Sequence, residues 1–189
     1  MIAQYLMVDN ALLEQLQNAT DTARTALLES MSEQPQAQLV DLGKLWDIIH
    51  FVLTKHSATE PVPDEPVSEF VVGVETFSDS EDADFIAFTP WAHIVEIVDA
   101  LEQINFKKRL EKVSMKSLRE QAIFPPNIWQ DKKENLDKEL LASYDELLAF
   151  YNDALDNGNN IVVSIFWLPP LAKARGFLLQ DGQARPQEC

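Results

Sequence analysis

The sequence predicts a single α+β domain in which a small β-sheet is covered by several helices. Two observations support this fold class. Short apolar segments typical of buried strands occur at 2–8, 85–88 and 160–167, scattered among about seven segments with helical periodicity. The chain of 189 residues is also long enough to bury one hydrophobic core. We expect the domain to span 1–168 and 169–189 to form a polar C-terminal tail.

The first elements are a strand at 2–8 and two amphipathic helices. Asp9 and Asn10 follow the strand and are good N-cap residues for the first helix, and the second helix begins at Thr20 or Asp21. Each helix has an apolar stripe on one face only. The stripe residues are Leu12, Leu13, Leu16, Ala23, Ala26 and Leu27.

A much more apolar helix is predicted over 42–55, with Asp41 as its N-cap. One broad side carries Leu45, Ile48, Ile49, Val52 and Leu53. The other carries Lys44, Asp47, His50 and Thr54, with Phe51 inside this polar sector. A helix so apolar should be largely buried, so its polar groups need partners or a water-filled cleft.

Two acidic loops flank the middle of the chain. The first, 56–69, contains three prolines and should be stiff, and the second covers 75–84. Between them, the apolar spacing of 67–74 favours a short helix, whereas its β-branched content favours a strand. The second loop leads into the strand predicted at 85–88.

Thr89 and Pro90 are a clear helix start, as N-cap and first helical residue. Asn105 and Ser114 can each open a further short helix. The core-facing stripe of the helix after Pro90 is predicted to be Trp91, Ile94, Val95, Val98 and Leu101.

The longest helix is predicted near 128–157. Asn127 is its expected N-cap, a leucine and tyrosine stripe runs along it, and Gly158 supplies the C-terminal stop. A buried strand at 160–167 follows.

Composition and charge exclude several classes of function. Fifteen Lys and Arg against thirty-one Asp and Glu give a net charge of -16, which disfavours binding to nucleic acid or to an anionic membrane surface. The only cysteine is Cys189, so an intrachain disulfide and a cysteine-rich zinc site are excluded. The N-terminal segment lacks the pattern of a signal peptide, and we expect a cytoplasmic protein.

The segment 42–54 resembles the signature of the YfbM-like family, small bacterial proteins described as a domain of unknown function. The resemblance covers about 1–166 and implies a shared α+β fold. It implies no catalytic role, because the family has no established activity. Further similar features are the turn Pro66-Val67-Ser68 before Gly73, the helix start Phe88-Thr89-Pro90, and Ile123-Phe124-Pro125 before the long helix.

The polar residues of the apolar helix are the best candidates for a site. Asp47 and His50 are three residues apart, so their side chains can meet, and the carboxylate would favour the charged form of the imidazole. Such a pair suits a general base, and it equally suits a buried network that only specifies the core. Trp46 is expected in the core or in a pocket wall. The candidate pocket is Lys44, Trp46, Asp47, His50 and Thr54.

Other chemistry has little support in the sequence. His56 and His93 are expected at the surface, and no two histidines have the spacing of a helical metal site. Phosphate-binding glycine loops are missing, so we predict no cofactor and no metal. The acidic residues Asp79, Glu81, Asp82 and Asp84 do not match a calcium loop, and a solvated turn is expected there.

Two functions remain open. The favoured one is a non-enzymatic binding or regulatory module whose acidic surface contacts a basic protein partner. The alternative is a small hydrolase-like or ligand-binding enzyme that uses Lys44, Asp47 and His50 in a cleft under the loop 57–66. No nucleophile motif accompanies the pair, which ranks the enzyme second.

Overall fold

A five-stranded antiparallel sheet forms the centre of the protein, in the order β2-β1-β5-β4-β3. The structure is a computed structural model that describes residues 1–78, 80 and 83–166. The strands are β1 (Ile2–Val8), β2 (Leu39–Gly43), β3 (Glu75–Thr76), β4 (Phe85–Thr89) and β5 (Asn160–Phe166).

Eight α-helices occur within the described residues, and with the sheet they confirm the α+β fold class. They are α1 (Asn10–Asn18), α2 (Asp21–Ser32), α3 (Trp46–Thr54), α4 (Pro66–Val72), α5 (Trp91–Glu102), α6 (Phe106–Glu111), α7 (Met115–Glu120) and α8 (Lys133–Asn157). Side-chain caps at Asp9, Thr20, Asn105 and Ser114 are confirmed. None of these helices has the length and apolar character needed to cross a bilayer.

Helices cover both faces of the sheet. Because successive strand residues point to opposite faces, β1 contributes Tyr5 to one cluster of buried side chains and Leu6 to another. The smaller cluster packs under α1 and α2, whereas the larger one contains side chains from α3 to α8. The central strands β1 and β5 are therefore buried on both sides.

The C-terminal end of α4 is held by two tyrosines from other elements. The Tyr5 hydroxyl of β1 donates to the Val71 carbonyl at 2.7 Å, and that of Tyr151 in α8 donates to the Phe70 carbonyl at 3.0 Å. The last carbonyls of a helix lack intrahelical partners, so these phenols satisfy groups that burial would otherwise leave unpaired. Burial raises the pKa of both tyrosines, which keeps them protonated as donors.

Replacing Tyr5 by phenylalanine is expected to lower the free energy of unfolding by about 1 to 2 kcal/mol, because the Val71 carbonyl loses its donor in a buried place. Urea denaturation measures the change. The matched control is Tyr144→Phe, since the Tyr144 hydroxyl has no hydrogen-bond partner among the described residues. Equal losses for both variants would contradict the role of the Tyr5 hydroxyl.

The predicted helix over 42–55 is wrong at its start. Residues 39–43 form β2, in which Val40 and Leu42 face the core and Asp41 is exposed. The Asp41 carboxylate accepts from Gln4 Nε2 and the Gly43 backbone instead of capping a helix. The alternation at 40–42 has the period of a strand, and the strongly apolar segment after it concealed that signal.

The start and core-facing stripe of α5 also differ from the prediction. Thr89 ends β4, Pro90 is the N-cap, and α5 begins at Trp91. Trp91 and Val95 are both exposed. The Trp91 indole N–H donates to the Leu155 carbonyl near the end of α8 instead of entering the core. The buried stripe is Ile94, Ile97, Val98 and Leu101.

The long helix is confirmed, but Asn127 does not cap it. Asn127 has a φ of 72°, a left-handed conformation that Asn tolerates, and it precedes a 3-10 turn at Ile128–Gln130. The α-helix α8 begins at Lys133 and ends, as predicted, at Gly158 with a φ of 69°.

Residues 66–72 form a helix, so the helical alternative for this segment is confirmed. The predicted tail at 169–189 and three residues of the second acidic loop lie outside the described residues. Those three are Asp79, Glu81 and Asp82.

Candidate functional site

The helix α3 is buried around its whole circumference. Every residue from Trp46 to Leu53 is buried, including the two with ionisable side chains. It packs against α4, α6 and α8, and its buried side chains share the larger core cluster with side chains of the sheet. Its polar groups must therefore find partners within the protein.

The Asp47 carboxylate is 1% exposed and accepts three hydrogen bonds from two loops. Oδ1 accepts from Ser57 Oγ at 2.9 Å and from the Ala58 backbone N–H at 2.7 Å. Oδ2 accepts from the Phe124 backbone N–H at 2.7 Å. Hydrogen bonds to an ionised carboxylate are among the strong ones, so Asp47 holds both loops against α3.

His50 is joined to the loop after α3 and to α4. Its Nδ1 lies 2.8 Å from the His56 carbonyl oxygen, and its Nε2 lies 2.8 Å from Ser68 Oγ. A carbonyl only accepts, so the neutral ring carries its proton on Nδ1 and accepts at Nε2 from the Ser68 hydroxyl. Ser68 Oγ in turn accepts from the Val62 backbone N–H at 3.0 Å.

Asp47 and His50 do not form the predicted pair. In the described part of the chain no hydrogen bond joins them, since each side chain is directed to a different loop segment. Burial lowers the pKa of His50, and the opposing effects of the His56 carbonyl, Asp47 and Glu65 do not compensate. Asp47 does favour the charged imidazole, as expected, but burial outweighs this effect and lowers the pKa of His50 overall.

The lowered pKa of His50 predicts that the protein loses stability as the pH falls below about 6.5, the ordinary value of the ring. The unfolded chain takes up this proton at a higher pH than the folded chain, so acidification between the two pKa values favours unfolding. The loss ends below the folded-state pKa. Urea denaturation across this range should show the slope in the native chain and in His93→Gln, and a reduced slope in His50→Gln.

Nuclear magnetic resonance of the His50 ring gives an independent measurement. The ring should titrate below 6.5 and show the proton on Nδ1. Titration at or above that value, or a proton on Nε2 of the neutral ring, would contradict the arrangement.

The remaining predicted residues have different environments. Lys44 is exposed just before α3, and Thr54 donates from Oγ1 to the His50 carbonyl at 2.8 Å while accepting from the His56 backbone. Trp46 is 2% exposed, with its ring centre 5.9 Å from that of Phe124. Its indole N–H is buried and has no acceptor among the described residues.

Three adjoining cavities follow the loop 57–66, and we call them together the loop groove. The first has a volume of about 560 Å³, the second about 300 Å³ and the third about 320 Å³. Met1 and Thr59 line both the first and the second, and Pro61 and Phe85 line both the second and the third. The shared residues make the cavities neighbours along one surface.

Two of the five predicted site residues line the loop groove. Asp47 lines the first cavity and Trp46 the second, whereas Lys44, His50 and Thr54 line none of the three. His56 and His93 are exposed, as expected. Across residues 1–78, 80 and 83–166, no group of three or more His, Cys, Asp or Glu side chains is arranged to hold a metal ion.

Besides the nearby His56 carbonyl, Asp47 and His50 bind groups that sequence reasoning missed. Ser57, Ala58, Ser68 and Phe124 lie between ten and seventy-seven positions away in the chain. The one sequence signal for any of these partners was the turn Pro66-Val67-Ser68, which is among the features similar to the YfbM-like family. Two of the donors are backbone N–H groups, which any residue could supply, so side-chain identity carries no signal for them.

Comparison with known proteins gives consistent matches. A family model described as a domain of unknown function (DUF1877) matches residues 1–164. Protein YfbM of Escherichia coli strain K12 is 26% identical over 167 residues, which cover 87% of this chain and 98% of that protein. The crystal structure of YfbM from Escherichia coli, titled a protein of unknown function, matches with a TM-score of 0.72 and 25% identity, over 88% of this chain and 100% of that one.

Proposed function

Because the chain belongs to the DUF1877 family, whose description states no activity, we propose its function from the site: a non-enzymatic binding or regulatory protein that contacts a basic protein partner. The resemblance to YfbM-like proteins is confirmed by the same comparisons. We place this function in the bacterial cytoplasm, which the single cysteine and the bacterial relative support.

The observation that carries the choice is that Asp47 and His50 use their polar atoms to hold loops. Three protein donors bind the Asp47 carboxylate, and both nitrogens of His50 have partners within the chain. A general base must be within reach of a substrate proton, and neither group offers a free polar atom at an open surface. This supports a role in shaping the loop 57–66.

The charge of the chain supports a basic partner. A net charge of -16 on 189 residues gives a long-range field that attracts positively charged proteins and speeds their encounter. Only three ion pairs occur within the described residues, so much of the negative charge is left for a partner. Such an attraction weakens as salt screens it.

A pull-down with the immobilised full chain tests this function. We expect the yield of captured basic protein to fall when the salt rises from about 0.1 M to about 1 M, since the Debye length shortens from about 10 Å to about 3 Å. A yield that does not change between the two conditions would contradict an electrostatic partner.

The second candidate is an enzyme, which one contact favours. Ser68 Oγ and His50 Nε2 are 2.8 Å apart, and the His56 carbonyl orients the far nitrogen, an arrangement also found in nucleophile and base pairs. Against it, Ser68 is 0% exposed, its hydroxyl oxygen already accepts from Val62, and Lys44 lies outside the loop groove. A fluorophosphonate probe that labelled Ser68 in the folded chain would reverse the ranking.

A further inference from the structure

The loop groove crosses one end of the sheet. Ile2 pairs with Phe166, and Phe85 pairs with Ile165. The first residues of β1 and β4 and the last residues of β5 therefore lie side by side at the same end of the sheet. The second cavity is lined by Met1, Ile165 and Phe85 from these ends and by residues of the loop 57–66. Three adjacent strand ends extend over about 10 Å, which an extended peptide covers with about three residues.

Acidic side chains lie along the whole loop groove. Glu60 and Glu120 line the first cavity and Asp84 lines the second. The third cavity is lined by Asp64, Glu69 and Glu75 and by no Lys or Arg.

Cationic groups offset part of this charge in the first and second cavities, both of which are lined by Met1 with its N-terminal ammonium group. Lys116 lies 3.5 Å from Glu120, with both side chains largely exposed. Of the two lysines only Lys55 lines the first cavity, and its ammonium lies 5.6 Å from the centre of the Phe51 ring.

Glu69 is the group of the third cavity that most needs a cation. It is half-buried, and burial raises its pKa, with Asp64 and Glu96 adding to the effect and His93 opposing it. A carboxylate near other carboxylates and partly removed from water gains most from a positively charged ligand group.

The middle of the loop groove has a different chemistry. Phe85 is 38% exposed at the border of the second and third cavities, an unusual exposure for a large aromatic residue. Trp46 lines the second cavity, and its indole N–H is the buried donor that lacks an acceptor among the described residues. A backbone carbonyl from a bound peptide would supply that acceptor.

On the basis of the proposed function, we infer that the loop groove binds a short extended segment of the basic partner, with an arginine at each acidic end and an apolar residue between them. Arginine fits better than lysine, because its planar guanidinium can pair with carboxylates and stack on aromatic rings such as Trp129 and Phe124 of the first cavity. A carbonyl of the segment accepts from the Trp46 indole.

The test uses the capped peptide Ala-Arg-Ala-Phe-Ala-Arg-Ala and the ¹⁵N-labelled full chain. In an extended peptide the two arginines and the phenylalanine share one face, and the arginines are about 13 Å apart. We expect the Trp46 indole N–H resonance to move downfield and the other changes to stay within the loop groove. A peptide of the same composition with adjacent arginines should bind at least fivefold more weakly, and one with glutamates should not bind.

Matched charge variants locate the binding. Glu69→Gln with Glu75→Gln removes two charges from the third cavity, and Glu139→Gln with Glu146→Gln removes two from exposed positions of α8. We expect the groove variant to lose at least tenfold in affinity and the α8 variant less than twofold. The resonance spectra of both variants report whether they remain folded.

Some outcomes would overturn the inference and leave the proposed function standing. Equal losses in the two variants, or spectral changes spread along α8, would show that arginine binds the acidic surface without the loop groove. If the peptide fails to bind while the capture of basic protein remains salt-dependent, the loop groove is likewise not the binding site. Salt-independent capture would reject the proposed function itself.

Discussion

Replacing Gly73 by alanine is expected to lower the free energy of unfolding by about 2 to 6 kcal/mol. Gly73 has a φ of 79° and a ψ of 173°, a region essentially restricted to glycine, where another residue costs about 1 to 3 kcal/mol. An added Cβ would also lie 3.0 Å from Ala87 Cβ and 3.1 Å from Val163 Cγ1. These atoms belong to β4 and β5 and cannot move without disturbing the core, which adds about 1 to 3 kcal/mol.

Gly158→Ala is the matched control for this prediction. Gly158 also has a positive φ, 69°, but an added Cβ would meet no atom within 4 Å. Its replacement should cost about 1 to 2 kcal/mol from the backbone alone. Urea denaturation of both variants separates the two contributions, and a cost for Gly73→Ala no greater than that for Gly158→Ala would contradict the packing argument.

Asp47→Asn should lower the free energy of unfolding by about 2 to 4 kcal/mol. The side chain keeps its size, but one carboxylate oxygen becomes an NH₂ group that must face either the Phe124 N–H or the Ser57 and Ala58 donors. A buried donor facing a donor loses a charge-assisted hydrogen bond and leaves both groups unsatisfied. Asp99→Asn, at an exposed position of α5, should change stability by less than about 0.5 kcal/mol.

Limited proteolysis extends the Asp47 prediction to the loop 57–66. Asp47 anchors the start of this loop through Ser57 and Ala58, so the loop should be cleaved faster in Asp47→Asn than in the native chain under conditions where both remain folded. Unchanged stability together with unchanged cleavage would mean that Asp47 does not hold the loop.

Local sequence signals predicted the elements that depend on local chemistry. The strands β1, β4 and β5 follow from short apolar runs, and the caps Asp9, Thr20, Asn105 and Ser114 depend on hydrogen bonds within one turn. β2 was missed because its alternation covers only a few residues before the stronger helical pattern of α3. The exposed Trp91 was missed because its position depends on the end of α8, far away in the chain.

The candidate site was less accessible to prediction than the fold. Helical periodicity correctly indicates that Asp47 and His50 lie on a helix that is apolar enough to be buried. Their polar atoms therefore need hydrogen-bond partners within the protein. It does not say which segments supply those partners, because the donors come from residues 57–68 and 124 through tertiary packing. Burial also has the largest effect on the pKa of His50. The charges of neighbouring residues along the helix do not predict this effect.

The pairing of β1 with β5 has a consequence for how the chain folds. The central ladder joins Ile2 to Phe166 and Val8 to Asn160, so the sheet combines residues from the two far ends of the described fold. Contacts of such high contact order slow folding. During synthesis on the ribosome, β1 has no neighbour on its β5 side until almost all of these residues have emerged, and its apolar side chains must meanwhile be sheltered by α1 and α2 or by a chaperone.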